Sequence, residues 1–303
     1  MRAAEFAIHL LLLLVFPPIL LGVINKTKAA FAGRVGAPLL QPYHDLLKLF
    51  RKGLVLSETT TWVFTLAPAA ALLAVILAGM LLPAGPLDAP IRFTGDMILF
   101  VYLLGLARFL IATAALDTGS SFEGMGAARE VSFACLAEGA VLFAFLVLAK
   151  NSGALALSSM LRGVEEVEWG IAAAPLLLIS AGLFIVVLAE NCRVPFDDPN
   201  THLELTMIHE VMVLDHGGPL LGLILYGAAI KLYILGALLV QVLIPFDNIG
   251  PGGAPVFVAG LLGLAVAIGV VESIMARLQL RHIPYLLTAA TLFCAFGFLL
   301  VTR

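Results

Sequence analysis

Eight runs of about twenty apolar residues, near 5–24, 61–82, 97–116, 130–149, 172–189, 219–244, 254–274 and 283–301, constrain this chain more than any other feature. A helix rising about 1.5 Å per residue crosses a hydrocarbon core about 30 Å thick in some twenty residues, so each run has the length of one crossing. An open sheet edge has nothing to satisfy it in lipid, and the runs are too long and too evenly apolar for barrel strands. With 61% hydrophobic residues and a mean hydropathy of +1.08, a water-soluble enzyme is excluded. The expectation is an all-α integral membrane protein of about eight transmembrane helices, with amphipathic and short cytoplasmic helices between them. No repeat or linker divides it, so residues 1–303 read as a single polytopic domain with cytoplasmic loops at about 25–60, 117–129, 190–218 and 275–282. The first apolar run has no small-residue cleavage site before INKTK and reads as a retained helix.

Lysine and arginine are distributed unequally between alternate connections. One side holds Lys26, Lys28, Arg34, Lys48, Arg51, Lys52, Arg129, Arg193, Arg277 and Arg281; the other holds Arg2, Arg92, Lys150, Arg162 and Arg303. The richer side is expected to face the cytoplasm, which with an even number of spans puts both termini outside. In QPYHDLLKLFRKGL, on that side, Tyr43, Leu46, Leu47, Phe50 and Leu54 recur at helical spacing opposite His44, Lys48, Arg51 and Lys52. This is the pattern of an amphipathic helix lying in the membrane surface, either a plain anchor or a floor for a soluble partner.

The stretch ENCRVPFDDPNTHLELTMIHE, residues 190–210, gathers nine ionisable side chains in a chain that is only 12% charged. Pro195 and Pro199 stop the fifth span, and Thr201 with Glu204 forms a capping-box pattern for a new helix running to Gly217 and Gly218. That helix would be roughly 20 Å long, too short to cross. It would be apolar nearly all round, with His202 and His209 on one face and Glu204 and Glu210 on two others. Such groups need a polar cavity at membrane depth.

Inside the spans lie Arg108, Glu138, with Glu130 eight residues before it, and Lys231, which has no partner in its own helix. An isolated charge at mid-membrane costs at least about 2.5 kcal/mol, so each is half of an ion pair or a functional group. With Glu204, His209 and Glu210 they form the candidate proton-coupling set. His9, Glu5 and Glu272 read as interfacial residues. Cys135, Cys192 and Cys294 have no metal-binding spacing, and two histidines seven apart lack the i, i+4 spacing of a helical metal pair, so no metal site or cofactor is expected in this chain.

AGRVGAPLLQPYHDLLKL (32–49), GSSFEGMGAAREVSFACLAE (119–138) and above all ENCRVPFDDPNTHLELTMIHEVMVLD (190–215) resemble the membrane-anchor subunits of respiratory complex I, subunit 1 or H. They are most similar to the hydrogenase branch, the anchor subunits of formate hydrogenlyase and hydrogenase-4 type membrane-bound nickel-iron hydrogenases. The resemblance covers essentially the whole chain. It implies a subunit that is not catalytic alone, in a bacterial or archaeal cell membrane. Such a subunit docks hydrogenase large and small subunits, which carry the nickel-iron centre and iron-sulfur clusters, onto antiporter-like membrane subunits. By position in the matching motifs, Arg34, Gln41 and Asp45 carry over to the first loop, Arg129 and Glu138 to the start of the fourth span, and Glu190, Arg193, Pro195 and Asp197 to the third loop. Asp198 and His202 complete that docking loop.

Quinone-reducing relatives read R-T-P-F-D-L followed by a glutamate-rich stretch, whereas here Asn200, Thr201 and His202 stand where acids are expected and only Glu204 remains. The resemblance therefore implies a hydrogenase-type assembly over a quinone-site subunit of a complex I-like oxidoreductase. An independent transporter would be expected to show paired, symmetry-related broken helices, which the sequence lacks. The charge bias has its own test. A cysteine introduced at position 48 should resist an impermeant thiol reagent in intact cells and react after permeabilisation; labelling in intact cells would invert the topology.

Overall fold

The computed structural model describes residues 3–162, 169–197, 207–244, 246 and 253–302. The helices in chain order are α1 (Ala3–Leu14), α2 (Pro17–Phe31), α3 (Gln41–Phe50), α4 (Trp62–Leu81), α5 (Asp96–Asp117), α6 (Ser121–Ser152), α7 (Leu157–Arg162), α8 (Trp169–Glu190), α9 (His209–Met212), α10 (Gly218–Leu243), α11 (Gly253–Ile274) and α12 (Ile283–Val301). Among the described residues there is no strand beyond an isolated Ala84–Leu87 bridge. Six helices are long and apolar enough to cross a membrane, the bent α1–α2 pair makes a seventh crossing, and the apolar α8 matches the remaining expected span. The chain is an all-α membrane protein with the expected number of crossings.

The first span departs from the expected single helix, and its prolines explain why. Pro17 and Pro18 have no N–H to donate and their rings crowd the preceding turn, so α1 and α2 meet at 43°. The break leaves the Leu14 and Val15 carbonyls without helical partners in an apolar setting. Tyr226 of α10 donates its hydroxyl to the Leu14 oxygen at 2.6 Å, and Tyr43 of α3 donates to that of Val15. The bend is thus held from two sides. The basic INKTK segment, expected in a loop, instead extends α2 through Phe31.

α10 is the central helix, with 67% of its apolar window buried, whereas α5, α11 and the last span bury 28%. Close crossings use small residues, as helices in lipid require. A Cβ on Gly126 of α6 would lie 2.4 Å from Val211, one on Gly269 of α11 would lie 2.7 Å from Thr27, and one on Gly182 of α8 would lie 2.4 Å from Cys294 of α12. α6 has 32 residues, about 48 Å, more than a bilayer core needs. Most of the expected 117–129 loop is therefore the first turns of α6.

Two other expectations change. Thr201 and Glu204 lie outside the described residues, and from Met207 onward the helix expected to reach Gly217 is only the single turn α9. The 41–50 segment does form the amphipathic helix α3, its Gln41–Phe50 extent stopping short of Leu54. α3 lies across the start of α10, where Gly222 leaves room for Leu49 and Phe50.

The α8–α12 crossing yields a stability test. Gly182→Val should destabilise the protein by about 1–3 kcal/mol, because Cys294 and the Ala290 carbonyl occupy the space it needs. Gly263→Ala, which meets nothing within 4 Å, should leave the thermal midpoint in detergent unchanged or raise it. Equal midpoints for the two variants would refute this packing.

Candidate functional site: a buried charge network

Arg108, midway along α5, points into the bundle with 10% of its side chain exposed. One guanidinium nitrogen donates to Glu138 Oε1 of α6 at 2.5 Å, and the other donates to both oxygens of Glu190, at the end of α8, at 2.8 Å. Its Nε lies 4.0 Å from Glu130 of α6. Lys231 of α10 approaches Glu190 Oε2 at 2.8 Å. Four helices therefore meet at two cations and three carboxylates, a group with one net negative charge. Bringing such groups out of water is costly, and bidentate pairing is what offsets the cost. Lys231, without a partner in its own helix, finds one on α8, and Glu190, expected in the docking loop, belongs to the inner network.

The turn after α8 carries a second set. Asp197, 1% exposed, accepts the backbone N–H groups of Ile208 and His209 at 2.9 and 3.2 Å and pairs with Arg277 at 2.9 Å. It thereby supplies the acceptors that the start of α9 needs. Arg193 reaches Glu272 at 3.4 Å, and Lys28 reaches the same carboxylate at 2.8 Å. Glu272 and His9 were expected at the interface; both are buried, because Glu272 has two cations and His9 has the Gly79 carbonyl at 3.3 Å. Arg129 donates to the Met207 carbonyl at 2.9 Å and so clamps this segment onto α6.

Two cavities flank these groups. The outer, about 340 Å³, opens between α2, α3 and α10 and is lined by Asn25, Asp45, Arg193, Asp197 and Glu210. The inner, about 80 Å³, is lined by Arg108, Glu130, Glu190 and Lys231. Asn191, Cys192, His209 and Ala228 line both, so these four residues stand between them, the first three with polar side chains. A third space, about 20 Å³, continues from Arg108 and Glu190 to Glu138. Between the α3 side of the protein and Glu138, three neighbouring cavities thus share polar lining residues. At the dividing wall, burial, with Glu130 and Asp197 adding to it, raises the Cys192 thiol well above its ordinary pKa. The thiol is therefore neutral there.

The candidate set divides accordingly. Arg108, Glu130, Glu138, Glu190, Lys231 and His209 come together around the inner cavity, while Asp45, Arg193, Asp197 and Glu210 line the outer one. Gln41 donates to Asp45 at 2.8 Å on α3, and Arg34 lies exposed beyond α2. Asp198, His202 and Glu204 lie outside the described residues. Sequence reasoning did not find Asn191 and Cys192, because nothing in their spacing signals that a turn places them between two cavities. It also missed His216, buried against Phe64 with ring centroids 4.0 Å apart and pushed down by burial to a pKa of about 4.

Known proteins share this sequence and fold. The NADH dehydrogenase family model matches residues 4–303. Formate hydrogenlyase subunit 4 of Escherichia coli K12 is 30% identical over 290 residues, 91% of this chain and 91% of that protein. Hydrogenase-4 component C of the same organism is 30% identical over 237 residues, 78% and 74% of the two chains. An NADH-quinone oxidoreductase subunit of Geobacter sulfurreducens is 28% identical over 214 residues, 66% of this chain and 62% of that one. A chain of the membrane-bound sulfane sulfur reductase, an archaeal respiratory membrane complex, superposes with a TM-score of 0.82 at 23% identity, covering 98% of this chain and 99% of that one. The fold is therefore shared well beyond recognisable sequence. With a match running from residue 4 to residue 303, the chain belongs to the NADH dehydrogenase family as a complex I-like membrane subunit, with formate hydrogenlyase and hydrogenase-4 subunits among its relatives.

Proposed function

We propose that this chain is the membrane-anchor and proton-coupling subunit of an energy-converting nickel-iron hydrogenase complex of the formate hydrogenlyase type. The observation that carries the reading is the series of polar groups that lines neighbouring cavities from the outer one, past Asn191, Cys192 and His209, to the Arg108–Glu190–Lys231 network and Glu138. In this reading the face that carries α3 lies in the cytoplasm of a bacterial or archaeal cell, both termini lie outside, and a peripheral redox arm sits over the outer cavity. That arm consists of hydrogenase large and small subunits, which hold the nickel-iron centre and iron-sulfur clusters. Antiporter-like subunits adjoin within the membrane. The relatives named for formate hydrogenlyase and hydrogenase-4 support the assembly, as do Asn200 and His202 in place of acids, although those two residues lie outside the described part.

Coupling follows from charge. A change of charge or field at the outer cavity reaches Glu190 through the dividing residues, and Glu190 is shared by Arg108 and Lys231. Weakening one pair strengthens the other, which redistributes charge in the network that Glu130 and Glu138 share through Arg108. A second reading, a quinone-site subunit, draws on the outer cavity, whose roughly 340 Å³ suits a small ring, and on the NADH-quinone oxidoreductase relatives.

Glu138→Gln and Lys231→Ala should allow the complex to assemble yet lower proton movement per hydrogen evolved severalfold in reconstituted vesicles. Wild-type proton movement in both assembled variants would remove these residues from the coupling path. In quinone-extracted membranes, hydrogen evolution from the native donor should persist. Activity that vanished and returned with added quinone would establish the second reading instead.

A further inference from the structure

Glu130 of α6, Cys192 in the turn after α8 and His209 at the start of α9 each offer one ligand atom, and the three atoms lie within 4.8 Å of one another. They belong to separate elements, so only the fold unites them. All three line the inner cavity, whose roughly 80 Å³ exceeds the ~10–15 Å³ of such space that one water needs. His209 Nδ1 and Asn191 Oδ1, also at this wall, are buried and make no hydrogen bond among the described residues. Of the three carboxylates around Arg108, Glu130 is held at the longest distance, 4.0 Å against 2.5 and 2.8 Å. The opposing cations Arg108 and Lys231 are directed at Glu190 and Glu138. Cys192 holds its position with φ +50°, a left-handed conformation that side-chain-bearing residues seldom adopt and that is often found at functional sites.

We propose that Glu130, Cys192 and His209 bind one divalent transition-metal ion of the zinc class between the two cavities. The donor set selects the ion. A sulfur, a nitrogen and a carboxylate oxygen suit borderline cations such as zinc, whereas magnesium and calcium take oxygen ligands almost alone. Tetrahedral bonds of about 2.0–2.3 Å place ligand atoms about 3.3–3.8 Å apart, so the trio closes by at most about 1.5 Å on binding. The Asn191 side chain or a cavity water completes the shell. Binding replaces the S–H bond of Cys192 with a sulfur–metal bond, and the proton leaves to water in the outer cavity. The ion offsets the inner network's net negative charge and ties α6 to the turn and to α9.

The test uses the full-length chain in lipid nanodiscs, stripped with chelator and titrated with Co²⁺. The expected result is one equivalent bound with a thiolate-to-cobalt charge-transfer absorption, displaced by Zn²⁺. Cys192→Ser should abolish the absorption, and His209→Gln and Glu130→Gln should each weaken binding at least tenfold, about the loss that even outer-sphere partners cause. A chain with Cys135→Ser and Cys294→Ala, which keeps Cys192 alone, should retain the absorption and guards against misfolding of the serine variant. Absence of the absorption in wild type or in this single-cysteine chain, or its survival in Cys192→Ser, would overturn the site.

Discussion

A carboxylate that ends one membrane helix and is shared by cations from two others sets the terms for the rest of this structure. Glu190 accepts Arg108 from α5 through both oxygens and Lys231 from α10 through one. A buried charge left without a partner is far costlier than the pair is favourable, so α5, α8 and α10 are held in one relative register. α6 joins them through Glu138 and Glu130. The central helix and its neighbours cannot slide past one another without separating charges in a low-dielectric interior.

The same requirement governs the backbone. Where Pro17 and Pro18 break the first span, tyrosines from α3 and α10 satisfy the carbonyls that the break frees. Where the chain leaves α8, Asp197 takes the N–H groups at the start of α9, and Arg277 neutralises it. Irregular backbone near membrane depth is tolerated only where protein or a polar cavity satisfies it. The 191–197 turn meets that condition on both sides, and its residues separate the two cavities as a consequence.

Most of the architecture is legible in the sequence because apolar length is a local property: the crossings, the amphipathic α3 and the concentration of charge after residue 190 can all be read from it. The motifs at 32–49, 119–138 and 190–215 identify the family for the same reason. Who pairs with whom is not local. Lys231 and Glu190 are far apart in sequence, and an isolated lysine in AAIKLYIL gives no hint of an acid on another helix. Glu272 looks interfacial from its place near the end of a span, yet Lys28 and Arg193 fold over it. The helix expected after Thr201 is a further lesson: an apolar girth also describes a segment wedged irregularly between helices, and Met207 and Ile208 are buried there without being helical.

The central claim is that Lys231 and Glu190 are one energetic unit inside the membrane protein. A double-mutant cycle with Lys231→Met, Glu190→Gln and both together, read as resistance to unfolding in bicelles, tests it most directly. Each single change should be costly because it strands charge, and the double variant should be more stable than the sum of the two losses predicts, by about 1–3 kcal/mol. Losses that add to within about 0.5 kcal/mol would mean that the two residues do not interact, and the shared carboxylate would not be what holds these helices together.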